Sequence, residues 1–178
     1  MNPLISREGG DILKSERFQR CGKTAHHKGT NVARHSMEVA EYALYLYGKG
    51  NYPDTDVRDV VRACLLHDIG MSDRDIHESV SFLKAYSHPR RSAEIAGKEF
   101  GANEVQVDAI LHHMWPICVI PPSSPVGWLV LRADKHCAHR DVADVIRNTV
   151  GAVFREKAGA DAGSSEEQGT GDSEVQEQ

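Results

Sequence analysis

Val57-Arg58-Asp59-Val60-Val61-Arg62-Ala63-Cys64-Leu65-Leu66-His67-Asp68-Ile69-Gly70 is the stretch that decides the fold. Val57, Val60, Val61, Cys64 and Leu65 recur at i, i+3, i+4, i+7 and i+8, the stripe of a helix that buries one side. Asp54 or Asp56 can cap its start, and Gly70 is a usual helix stop. The stretch then breaks its own pattern, because His67 and Asp68 follow directly on four apolar or sulfur-bearing residues. An ionised carboxylate in such surroundings needs a cation or strong hydrogen bonds.

Working outward, the helical period persists and no strand alternation appears. Upstream, Val32, His35, Val39, Ala43 and Leu46 line one face of a long helix ending near Gly48. Downstream, Pro89 suits the first turn of a third helix, with Ala93, Ala96 and Phe100 inward and Gly101 closing it. Asn103 caps a fourth, whose inner positions are Val107, Ile110, Leu111 and Met114 before Pro116 ends it. Ser124 and Pro125 look like the cap and first residue of a fifth, with Gly127, Val130, Leu131, Asp134 and Ala138 inward. Val142, Val145, Ile146, Val150 and Val153 mark a sixth. The expectation is an all-α protein, an irregular helical bundle.

At 178 residues the chain fits one ordinary domain. Residues 159–178 hold six acids, no Lys or Arg, and Val175 as their one large apolar residue. Such a segment cannot bury enough apolar surface to offset its ordering entropy. The reading is a domain over 1–158 and a disordered acidic tail over 159–178. Without the tail, 20 acids face 21 bases, so the net charge of −5 belongs to the tail. No basic stripe suited to duplex nucleic acid is visible, and aromatics at 6% are too few for a stacking surface. Cys21, Cys64, Cys118 and Cys137 form no CxxC pair and read as thiols of a reducing compartment. With no signal-peptide pattern and no membrane-length apolar run, a cytoplasmic location is expected.

A single His on an apolar face is usually a satisfied core histidine, and a single Asp is usually a cap. Here the number matters. His35, His67, His88, His112, His113, Asp68 and Asp134 fall at the inner faces or ends of five successive helices. Antiparallel helices can bring such points together. Imidazole with carboxylate suits Zn, Fe, Mn, Co or Ni better than Ca.

The ordered set His35, Leu65-Leu66-His67-Asp68-Ile69-Gly70 and Ala133-Asp134-Lys135 resembles the HD superfamily of metal-dependent phosphohydrolases. His88-Pro89 and His112-His113 resemble its members that add a second metal. His113-Met114-Trp115-Pro116 is similar to a little-characterised bacterial branch. The resemblance covers about residues 31 to 138. It implies a first metal on His35, His67, Asp68 and Asp134, with Asp68 bridging to a second on His88 and His113. It also implies a small phosphate ester, a nucleotide or similar compound, as the substrate partner, attacked by metal-activated hydroxide.

Lys135, beside Asp134, is the first candidate for added charge at the transferring phosphate, and Arg90 or Arg91 the second. His112 diverges from His113 by about 100° on a helix and is expected to contact the phosphate or pack. His26, His27, His77, His136 and His139 are read as surface or secondary residues, with His77 the first exception. Met71 stands where HD-GYP enzymes have lysine, and Met114-Trp115-Pro116 replaces their glycine-tyrosine-proline signature. Asn31-Val32-Ala33-Arg34-His35-Ser36 resembles the HD nucleotidases, which bind one metal. Two alternatives remain from the same resemblance: a di-iron oxygenase and a nucleotide-binding signalling module.

Overall fold

The computed structural model describes residues 1–26, 30–73 and 82–163. Seven α-helices and one short 3-10 helix occur among them. No strand is present in the described residues; one isolated bridge pairs Ala25 with Asn31. The chain divides into two units, Met1–Val142 and Ala143–Gln178. The core and the candidate site both lie in the first. No described helix is long and apolar enough to cross a membrane.

Two helices precede those expected from periodicity. α1 (Pro3–Lys14) starts on Asn2, whose side chain accepts from the Leu4 amide, and buries Ile5, Gly9 and Ile12. Ser15 ends it and caps α2 (Glu16–Cys21) through the Phe18 amide, so one residue turns the chain between them. α3 (Val32–Lys49) is capped by Asn31 and buries Val32, His35, Val39 and Ala43, as the stripe predicts.

α4 (Val57–Leu66) is capped by Asp56 and is the centre of the bundle, packed by α1, α3, α5 and α6. That position explains why every residue from Val60 to Leu66 is buried, rather than one stripe. Even Arg62 is inside. Its guanidinium donates to Asp11 Oδ1 (2.7 Å) and to the Phe100 carbonyl (2.8 Å), which satisfies a charge that burial would otherwise penalise. The α-helix stops at Leu66 rather than Gly70, and a 3-10 helix (Ile69–Asp73) follows.

α5 spans Phe82–Phe100, so Pro89 lies inside the helix and not in its first turn. An interior proline loses one backbone hydrogen bond. Pro89 is itself buried. Gly101, at φ 61°, ends α5 in the left-handed conformation, and Ala102 N donates to Ala96 O at 3.0 Å. α6 (Glu104–His112) begins at the predicted Asn103 cap but stops four residues short of Pro116. α7 runs from Pro125 through Gly163, with Ser124 Oγ accepting from Gly127 N. No separate sixth helix begins at Val142; that stretch continues α7. Residues 164–178, most of the expected tail, lie outside the described residues.

Candidate metal centre

The site is built where α4 ends. His67 takes the last helical backbone position, and Asp68 follows before the 3-10 turn. His35 comes from α3, His88 from α5, His113 from the end of α6 and Asp134 from α7. All six sequence-predicted ligands converge. His35, His67, His113 and Asp68 are buried, as apolar neighbours on every helix require.

Two groups share Asp68. On one side His35 Nε2 lies 2.9 Å from Asp134 Oδ1, and His67 Nε2 lies 3.3 Å from Asp68 Oδ2 and 3.8 Å from Asp134 Oδ1. On the other, Asp68 Oδ1 is 3.2 Å from His88 Nε2 and 3.7 Å from His113 Nε2, while those two nitrogens are 3.1 Å apart. His67 Nδ1 is 2.8 Å from the Cys64 carbonyl and His113 Nδ1 is 2.6 Å from that of Ile110. Each therefore donates from Nδ1, which aims Nε2 inward, the arrangement of a metal-ligating histidine.

Among the described residues, His67 Nε2 and Asp68 Oδ1 are two of several buried side-chain atoms that make no hydrogen bond. Buried polar atoms are rarely left so. Within each of the sets His35–His67–Asp134 and His67–Asp68–His113, the ligand atoms lie within 4.8 Å of one another. Donor chemistry, tautomers and unsatisfied atoms all fit divalent transition-metal binding. Behind His35, the buried Asp141 Oδ2 approaches its Nδ1 to 3.9 Å.

Electrostatics follow from this crowding. Burial alone would raise the Asp68 carboxyl, but the charge of His67 and bonding from His26 hold it well below the usual range. Asp134 is pushed up by burial, yet the His35 hydrogen bond and the His67 charge bring it down to about 2. Burial disfavours a charged His67, but Asp68 and then Asp134 outweigh it and raise the group to about 9. His113, buried and facing that charge, is lowered to about 4.

A testable consequence is proton release. His67 holds a proton below about pH 9 in the metal-free protein, and its Nε2 must lose it to ligate. Metal uptake near neutrality is expected to expel about one proton per chain, with affinity rising as pH rises toward that value. Calorimetry in two buffers of different ionisation enthalpy measures the count. Uptake without proton release would show that His67 is already neutral before the metal binds, burial then outweighing the pull of Asp68.

The remaining predicted residues do not join the cluster. His112 turns to its own helix, 2.9 Å from Asp108 Oδ1, because adjacent helical positions diverge by about 100°. It lines a cavity of about 730 Å³ with Arg90, Leu111, Cys118 and Val119, among others. Arg91 instead borders a shallower depression with Arg17 and Lys98. Lys135 is half-buried and makes no hydrogen bond or ion pair among the described residues. Its charge acts on the Cys118 thiol, opposing the rise that burial imposes there. His136 stacks on Tyr42 with centroids 3.8 Å apart. His27 and His77 lie outside the described residues.

Of the two places the sequence reading allowed for His26, at the surface or behind the ligands, the structure shows the second: its Nε2 lies 2.8 Å from Asp68 Oδ2. No periodic pattern could have found it, because it sits in the irregular segment before α3.

The model of the HD domain family matches residues 32–139, more than half of the chain. The chain belongs to the HD domain family, whose members are largely metal-dependent phosphohydrolases. Among curated proteins and among solved structures, none matches it.

Proposed function

We propose that this chain is a phosphohydrolase that cleaves a small phosphate ester, a nucleotide or similar compound, with two divalent transition-metal ions. The observation that carries the reading is Asp68: one carboxylate oxygen faces the His35–His67–Asp134 group and the other faces His88 and His113. Such ions would lower the pKa of a water to give hydroxide near neutral pH and neutralise phosphate oxygens.

The chain's own residues supply the rest. Asp68, held ionised by its surroundings, ties the two groups together. Arg90 and His112 place polar groups on the wall of a mostly apolar cavity, and each follows or precedes a metal-site histidine by no more than two residues. That wall, which Glu94 shares, suits the organic moiety of an ester. Arg90 is better placed for this than Arg91, which borders the other depression. Lys135, one residue beyond Asp134, has an uncommitted ammonium on a flexible stem that can swing toward a phosphate.

Elemental analysis of the reconstituted protein is expected to give close to two ions per chain, and a screen of phosphate esters to give phosphate release. One tightly bound ion would reduce the centre to His35, His67, Asp68 and Asp134. Oxygen uptake by the iron-loaded form, with every phosphate ester untouched, would replace the hydrolase reading by an oxygenase.

A further inference from the structure

His26 is not among the ligands that the HD resemblance implies, yet its ring lies among them. Its Nε2 lies 2.8 Å from Asp68 Oδ2, and its ring stacks on His35 with centroids 4.0 Å apart and planes 17° from parallel. The side chain is 8% exposed. The backbone holds it there: His26 N donates to Thr30 O (3.1 Å), and Val32 N donates to Thr24 O (3.0 Å). Ala25 bridges Asn31, which in turn caps α3, so His26 and His35 are delivered to one place by one local structure.

Both rings turn Nε2 toward a carboxylate, His26 toward Asp68 and His35 toward Asp134. The ligand atoms of His26, His35 and Asp68 lie within 4.8 Å of one another. Nitrogen and oxygen ligands about 2.0–2.2 Å from a shared ion stand no more than about 4.4 Å apart. Little movement is therefore needed for one ion to take all three.

We propose that His26 is a further protein ligand of the ion held by His35, His67, Asp68 and Asp134. The inference rests on the metal-centre reading and not on the reaction. Five protein ligands leave one octahedral position at that ion. The less filled coordination sphere is then the one of Asp68, His88 and His113.

The test uses the full chain and Co²⁺ alone as the probe, with no substrate. His26→Ala removes the imidazole, and His26→Gln keeps an N–H donor for Asp68 while removing the ring nitrogen. If His26 ligates, both variants should weaken the tighter Co²⁺ site, in competition with a chelator, by more than the roughly 10–100-fold that loss of a merely supporting group costs. X-ray absorption of the singly loaded variants should then count one imidazole fewer than in the parent. Unchanged affinity and imidazole count in His26→Ala would overturn the proposal. Recovery of parental affinity in His26→Gln would also overturn it, leaving a hydrogen-bond donor that orients Asp68. A parent that binds Co²⁺ through His26 but hydrolyses no ester would leave the proposal standing and sink only the hydrolase reading.

Discussion

Asp68→Asn is expected to abolish turnover and to strip metal from both halves of the centre. The substitution keeps size and shape, so the buried pocket should still close around it. What it removes is the negative charge. That charge is what one side chain offers to two coordination groups, through Oδ2 toward His67 and Oδ1 toward His88 and His113. Changes in groups that merely support a ligand cost about 10–100-fold in metal affinity. Loss of a shared ligand charge should exceed that range, and activity should fall by at least about 10²-fold. The same change removes the foremost influence raising His67, whose ring should then titrate lower than about 9 in the metal-free protein. Metal analysis, a histidine NMR titration and a thermal melt separate these effects from misfolding. Parental metal content and parental turnover in Asp68→Asn would end the case for a bridging carboxylate.

Gly70→Ala is the second large effect, and it works through packing. A Cβ at Gly70 would stand 2.7 Å from the Ser92 backbone nitrogen and 3.1 Å from the Arg91 carbonyl carbon, whereas ordinary contact begins near 3.4 Å. These are backbone atoms of α5, so no side-chain rotation relieves the clash. α5 must retreat, and the hydrogen bond from Gly70 N to Ser92 Oγ (3.0 Å) stretches with it. Overpacking of this kind costs about 1–3 kcal/mol. Because α5 also carries His88, the retreat should open the gap between His88 and His113, now 3.1 Å between their Nε2 atoms. The expected result is a lower melting temperature together with selective loss of the second metal. Gly97→Ala on the same helix is the control. Nothing lies within 4 Å of its Cβ position, so the exchange should stabilise α5 by about 0.5–1 kcal/mol. Equal melting temperatures and metal contents in Gly70→Ala and the parent would show that the close approach has no consequence.

The helical character of this protein was legible in its sequence because it is a local property. The stripe Val57, Val60, Val61, Cys64, Leu65 and the caps Asp56, Asn103 and Ser124 depend on neighbours within one or two turns. The six candidate ligands were legible for a different reason. His35, His67, His88, His113, Asp68 and Asp134 are polar groups at positions that periodicity marks as inner, and the ordered set resembles a family. The extent of α5 was not legible, since a proline usually starts a helix and Pro89 stands inside this one. The helices before residue 22 were passed over as well; Ile5, Ile12 and Phe18 became core only when α1 packed on α4 and α2 on the 3-10 turn.

The sequence by itself determined which residue types and which helical faces could form a metal centre. Tertiary structure alone decided that His112 would meet Asp108 and that His26 would lie against Asp68. Hydrophobic periodicity records whether a side chain points inward, but not what comes to meet it. That depends on contacts between residues far apart in sequence, such as His35 and Asp134, 99 positions apart, which only the packed bundle specifies.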